Sequence, residues 1–431
     1  MRHPRIAATV LVALAAALAG CGGSGVVEGG NNFQGTLTVY SDLPLQGPQD
    51  ALMTSMVNGE KLALYDAGGH VGHRHVSFVS LNDSQQTAGG WTPAQTAGEA
   101  AQAALDLSTI AYIGDFDSGA TATSLPLTNA NDILQVSPAS PYVGLTDASS
   151  VDINGNPLSY YPVGARTFAR LMPSDVQEAA ATTQFMHSLG VKRLYVLTDV
   201  APFDAPFDSA IAPLVADDTS PQRSITLVGQ QQIDTETNTQ PVGYAQIAAA
   251  VAATDPDGVL VGASPDQGAE ALWQELHSAL PHTKLFAPST LATGPFLATL
   301  GGAASSTYVT SPILELSQYP RSAQRVLRAY RRRFGIAPTA YSLYGFEAME
   351  SVLAAIHAAG KDGSNRLDVV SAYFHLGERN SVIGRYRIDS DGDTSLSRFA
   401  GYRVGRGGRL IELRLLSGAL SVSSSASSSS G

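Results

Sequence analysis

The chain of 431 residues has a single cysteine, Cys21, which excludes a framework of intrachain disulfides. It also lacks a Walker A sequence and a Gly-x-Ser-x-Gly elbow. Gly262-Ala263-Ser264-Pro265-Asp266 comes nearest to the elbow and lacks its second glycine. No Ser, His and Asp set assembles with any preference, so no enzyme is expected and no cofactor is implied. Positive charge is scarce: 26 Lys and Arg stand against 37 Asp and Glu, a formal net charge of -11. That balance argues against nucleic acid as the main partner. Beyond the first twenty residues no stretch is long and apolar enough to span a membrane. Hydrophobic content of 44% is ordinary for a globular protein, and the length suggests two or more domains.

The N-terminus is built differently from the rest. Arg2, His3 and Arg5 precede an alanine-rich apolar run, Ile6 to Leu18, which has the form of a secretory signal. Leu18-Ala19-Gly20-Cys21 then resembles a bacterial lipobox. That resemblance implies removal of residues 1–20 and lipidation of Cys21, which would anchor the chain at the outer face of the cell membrane. Residues 21–35, rich in Gly and Asn, read as a flexible tether.

The remainder alternates between strand and helix patterns. Thr36 to Tyr40 and Val76 to Leu81 are β-branched strand runs, with a helix expected from about Ala51 to Ala67 between them. Thr92-Pro93 is a helix start. Ile110 to Ile113, a helix that Ser118 is placed to cap, and Ile133 to Val136 complete a strand, loop, helix, strand unit. Arg166 to Leu171 is expected as a strand entering a second lobe, where a fresh βαβ series begins. Further strands are expected at Arg193 to Thr198, Ser224 to Val228, Gly258 to Val261 and Lys284 to Ala287. The arginine-rich segment Ser322 to Phe334 reads as a solvated helix face, with Val326, Leu327, Tyr330 and Phe334 inward. Ser417 to Gly431 is a low-complexity serine tail, expected to be disordered.

Several stretches together resemble the type I periplasmic binding proteins, most closely the leucine/isoleucine/valine-binding branch. They are Gly59 to Leu64, Tyr112-Ile113-Gly114 with Ser118-Gly119, and Ser137-Pro138 through Leu145-Thr146. Arg166-Thr167-Phe168, Pro173-Ser174-Asp175, Tyr341 to Met349 and Asp389 to Asp393 follow in order. The resemblance implies an α/β fold of two Rossmann-like lobes, joined by three crossovers, with a ligand cleft between them. The first lobe would span residues 36–161 and 306–395, and the second 162–305 and 396–416. It also implies a job: a solute-binding lipoprotein that delivers a small polar solute, such as a branched-chain amino acid, an amide or a carboxylate, to the permease of an ABC importer. The partners would be that solute, the permease and the membrane, with no nucleic acid, and the chain would be a monomer. The alternative is a ligand sensor or a surface interaction protein with a diverged cleft.

The family pattern also implies ligand contacts. Ser118 and Gly119, at a helix N-terminus with free N–H donors, would hold an anionic group. Ala139 and Ser140 match positions that offer backbone groups. The next position, usually threonine, is Pro141, so Tyr142 is expected to reach the cleft instead. From the second lobe Phe203 stands where the family carries a covering aromatic, and Ser264 and Ser289 lie in the loops after two strands. Where the family places an acidic partner for a ligand amino group, this chain reads Ala287-Pro288-Ser289-Thr290. Asp42, Asp204 and Asp266 are the candidates to replace it. No metal site is expected. His70, His73 and His75 lack a fourth ligand, although His73 and His75 would share a strand face. The Asp389 to Asp393 turn lacks the glutamate that closes a calcium loop.

Overall fold

The computed structural model describes residues 35–85, 90–147, 157–199, 203, 205–217, 224–234, 241–263 and 268–419. Cys21 and the signal and tether around it, Asp204, Ser264, Asp266 and most of the serine tail lie outside the described residues.

The first portion runs β1 (Leu37–Asp42), α1 (Asp50–Asp66), β2 (His70–Val71), β3 (Arg74–Leu81), β4 (Ser84–Gln85) and β5 (Gly90–Trp91). It continues with α2 (Pro93–Leu105), β6 (Thr109–Ile113), α3 (Ser118–Asn129), β7 (Leu134–Ser137) and β8 (Phe168–Arg170). Then come α4 (Asp175–Ser188), β9 (Arg193–Asp199), α5 (Ala205–Asp217), β10 (Thr226–Ile233), α6 (Pro241–Ala252) and β11 (Gly258–Gly262). They are followed by α7 (Ala269–Ala279), β12 (Lys284–Ala287), α8 (Gly294–Thr299) and β13 (Thr307–Ser311). The last portion holds α9 (Arg321–Phe334), α10 (Tyr341–Ala358), α11 (Arg366–Phe374), β14 (Arg379–Asn380), β15 (Arg385–Tyr386), β16 (Arg398–Val404) and β17 (Leu410–Ser417).

Two large sheets organise these elements. The first has the order β2-β3-β1-β6-β7-β8, and the second β10-β9-β11-β12-β13-β16-β17. Neighbours from β3 to β8 and from β10 to β13 are parallel, while β16 and β17 run antiparallel. This is the expected α/β fold of two lobes. The central strands β1, β6, β7 and β11 are buried on both faces, as parallel sheets under helices must be. In β9, Leu194 and Val196 face one core, and Tyr195 and Leu197 the other.

The chain changes sheets later than expected. Phe168–Arg170 is not the start of the second lobe but the edge strand of the first sheet, paired with Gln135–Ser137. The first passage therefore follows Arg170 rather than residue 161. Arg170, at the end of that strand, is fully buried. Its guanidinium donates to Asp393 at 2.6 Å and to the carbonyls of Ser140 (3.0 Å) and Tyr142 (2.6 Å). The return passage likewise follows β13, at Ser311, rather than residue 305.

In the last portion α10 crosses α1 at glycine. A Cβ on Gly59 would lie 2.1 Å from the Ser342 carbonyl oxygen, and one on Gly345 2.1 Å from that of Met56. Only glycine permits backbones this close. Helix α9 buries Ala323, Val326, Leu327 and Tyr330 and leaves Arg321, Arg325, Arg328, Arg331, Arg332 and Arg333 exposed. Its arginines thus form the solvated face read from the sequence. His73 sits in the turn between β2 and β3, not on a strand face with His75; it is His70 that pairs with His75, with rings 4.1 Å apart. The Asp389 to Asp393 turn is tied by a side chain: Asp389 Oδ1 accepts from the N–H groups of Asp391, Gly392 and Asp393.

Candidate ligand cleft

The C-terminal ends of parallel strands carry the loops from which open α/β sheets build ligand sites. In the first sheet these are the loops after β6 and β7. Asp117, not Ser118, occupies the cap position of α3, with an extended backbone (φ -85, ψ 141) and no side-chain cap bond. Ser118 is the first helical residue. Its hydroxyl oxygen accepts the Tyr142 N–H at 3.2 Å and so joins the two loops. The hydroxyl proton remains to donate, and the opening N–H groups of α3 have no partner within the helix. Gly119 lies where a Cβ would meet the Trp91 ring at 2.4 Å and the Phe203 ring at 2.9 Å.

Ala139 and Ser140 are built into the first lobe. The Ala139 N–H donates to the Ser137 hydroxyl (3.1 Å), and the Ser140 N–H to the Phe116 carbonyl (3.1 Å). Ser140 has a left-handed backbone (φ 47), and its hydroxyl is shared with Thr121 at 2.6 Å. Both N–H groups are therefore taken by the protein itself. Pro141 lines the cleft, and its carbonyl accepts the Asp175 N–H at 2.9 Å.

Across the cleft Phe203 meets the buried Tyr142 edge-on, with ring centroids 5.1 Å apart. Between the lobes lies a cavity of about 20 Å³ lined by Pro141, Asp175, Glu178, Phe203, Phe207, Gly262, Pro288 and Thr290. That is room for about one water. A solute of metabolite size does not fit this cavity as it stands.

An acidic side chain from another element reaches the loop after β12. Glu178, on the first turn of α4, accepts the Ser289 N–H and the Ser289 hydroxyl, each at 2.6 Å. Thr310 donates to it at 3.2 Å. Burial pushes the Glu178 carboxyl up to about 7 against these hydrogen bonds. Asp175 is also buried and also pushed up to about 7 by burial, with the Arg170 charge opposing. Asp42 does not line this cavity; it is fully buried within the first lobe. Sequence reading passed over Glu178 and Asp175. The signal was the Pro173-Ser174-Asp175 helix start, which brings the first turn of α4 to the cleft.

Residues 43–408 match the sequence model described as periplasmic binding protein. The chain belongs to that family. It is extracytoplasmic in character, and no described helix is long and apolar enough to cross a membrane. A search of curated proteins returns no match. Among solved structures the chain is similar to the leucine-binding protein LivK of Thermotoga maritima, at 17% identity and a TM-score of 0.69 over 89% of this chain and 99% of that one. It is similar to the branched-chain amino acid transporter substrate-binding protein LivJ of Streptococcus pneumoniae, solved with isoleucine, at 15% identity and a TM-score of 0.68 over 89% and 99%. A solute-binding protein of an ABC transporter from R. palustris, in complex with 4-hydroxybenzoate, aligns at 14% identity and a TM-score of 0.69 over 89% and 97%. At these identities the likeness establishes the shared fold.

Proposed function

We propose that this periplasmic binding protein is a lipoprotein, anchored through Cys21, that captures a small solute bearing an amino group and hands it to an ABC permease. The observation that carries the ligand class is Glu178. It puts a buried carboxylate at the loop where the family pattern expects one and this chain's own loop has none. A desolvated ammonium needs such a partner. Ser118 and the start of α3 supply the opposite requirement, donors for a carboxylate. Phe203 touches both regions, through Gly119 and through the cavity. Movement of that ring with the second lobe would join them into one site. An amino acid or a close derivative fits this pairing, and binding rather than catalysis is its chemistry.

A thermal-shift series with isoleucine, leucinamide and 4-hydroxybenzoate tests the reading. A ligand that binds only the folded chain raises stability by RT ln(1 + [L]/Kd). The amino-bearing solutes should raise the unfolding midpoint, and 4-hydroxybenzoate should not. The reverse order would remove Glu178 as ligand partner. The tight cavity and Pro141 favour a second reading, a diverged cleft serving a surface interaction; absence of any shift across a broad solute panel would leave that one standing.

A further inference from the structure

The first lobe contains a second concentration of charge, buried behind the cleft loops. Asp42 ends β1, Asp83 follows β3 and Asp115 follows β6, so three adjacent parallel strands deliver three carboxylates to one place. One oxygen from each lies within 4.8 Å of the others, and all three residues are 0% exposed. Tyr112 donates its hydroxyl to Asp42 (2.9 Å) and Asp115 (3.0 Å), so a single proton serves two carboxylates. Ser124 also donates to Asp115, and Gln135 does so at 3.3 Å.

Asp83 is the decisive member. Neither of its oxygens has a hydrogen-bond partner, and Asp42 Oδ1 has none either. Buried polar atoms are almost always satisfied, and a buried carboxylate with no donor at all is costly. Charged neighbours beyond the three make matters worse: Glu99 on α2 and Asp117 before α3 are acidic too. Burial and mutual repulsion accordingly hold the Asp42 and Asp83 carboxyls well above the usual range.

We propose that Asp42, Asp83 and Asp115 hold a hard divalent cation, Ca²⁺ or Mg²⁺. The donor set is entirely oxygen, which selects these ions over the softer metals that use Cys or His. The spread of the three oxygens suits ligands on opposite sides of one ion, since Ca²⁺ binds oxygen at about 2.3–2.6 Å. The cation would satisfy the Asp83 oxygens and remove the repulsion among the three groups. It would sit behind the loop from Gly114 to Ser118 and so stiffen the wall of the cleft from within the first lobe.

The test is a thermal-shift titration of the purified, chelator-treated protein with CaCl₂ and with MgCl₂. At least one of them should raise the unfolding midpoint in a saturable way. Asp83→Asn, nearly isosteric, should lose that shift, with at least tenfold weaker apparent affinity. Asp42→Asn should do the same and serves if Asp83→Asn fails to fold. No shift with either cation in the wild type would overturn the proposal and leave the cluster as carboxyls sharing protons. A shift of equal size and affinity in the folded variants would overturn it as well.

Discussion

Glu178 grips Ser289 by two bonds of 2.6 Å, one from the backbone N–H and one from the hydroxyl. This relationship joins the start of α4 to the loop after β12 and puts a carboxyl at the cavity wall. Its pH dependence follows from the direction of the shift. The folded-state carboxyl is raised from 4.5 to about 7. Below the unfolded value both states hold the proton, and the group does not penalise folding. As pH rises, the unfolded chain ionises first, so stability falls until the folded carboxyl also ionises near 7. Glu178→Gln should flatten that decline by on the order of 1–3 kcal/mol. Asp175 and Glu347, also raised to about 7, will keep part of the slope. Urea unfolding at pH 4.5 and pH 8 reads the difference; parallel slopes in variant and wild type would contradict it. The same variant should weaken an amino-bearing ligand at least tenfold.

Gly119 is the point where Phe203 comes down on α3. A methyl group there would stand 2.9 Å from the Phe203 ring and 2.4 Å from the Trp91 ring. Gly119→Ala should cost about 1–3 kcal/mol through overpacking. It should also weaken ligand binding, because closure must push Phe203 against the new methyl. Calorimetric titration of a bound solute measures the second effect. An unchanged affinity would separate Gly119 from the closing surface.

How far the site could be read in advance depended on which contacts run along the chain. The strand, loop, helix, strand order around Ile110 to Val136 lies within one βαβ unit, so local pattern exposed it, whereas the tie between Ser118 and the Tyr142 N–H did not show in the sequence. Glu178 and Ser289 lie far apart in sequence and meet only because β12 and β13 bring the loop and Thr310 under α4. No spacing rule announces that. At Ala139 and Ser140 too, the backbone partners could not be read from the sequence. Their sequence positions fit the pattern, but the left-handed turn at Ser140 directs its N–H to Phe116, and Ser137 claims that of Ala139. Arg166 to Leu171 was expected to enter the second lobe, yet Phe168–Arg170 closes the edge of the first sheet and buries Arg170. Its carbonyl and Asp393 partners are distant in the chain.

Ser118 has two separable roles, and substitution can divide them. Its oxygen accepts the Tyr142 N–H, and its proton is free to donate. Ser118→Ala leaves that N–H without its acceptor, a loss of about 1–3 kcal/mol for a buried donor. Ligand affinity should fall about tenfold, the usual weight of one hydrogen bond to a charged group. Ser118→Thr keeps the hydroxyl and should restore most of both. Loss of stability with unchanged affinity would make Ser118 a loop tie and no more.

The crossing of α1 and α10 gives a prediction with an internal control. Alanine is the better helix former, by about 1 kcal/mol over glycine in a helix interior. At Gly98, on the exposed face of α2, a Cβ meets nothing within 4 Å. Gly98→Ala should therefore stabilise the chain by about 0.5–1 kcal/mol. At Gly59 the same change places a methyl 2.1 Å from the Ser342 carbonyl oxygen and 2.9 Å from the Phe346 nitrogen. These are backbone atoms of a buried helix and cannot rotate away as a side chain would. The two helices must separate, and contacts across Met56 and Gly345 go with them. Gly59→Ala should lose about 1–3 kcal/mol despite the gain in propensity. Gly59 and Gly345 share one crossing, so once either alanine has moved the helices apart the second should cost less than it does alone. Chemical denaturation of the four variants measures the signs and the coupling. A stabilising Gly59→Ala would mean that α1 and α10 do not approach this closely in solution.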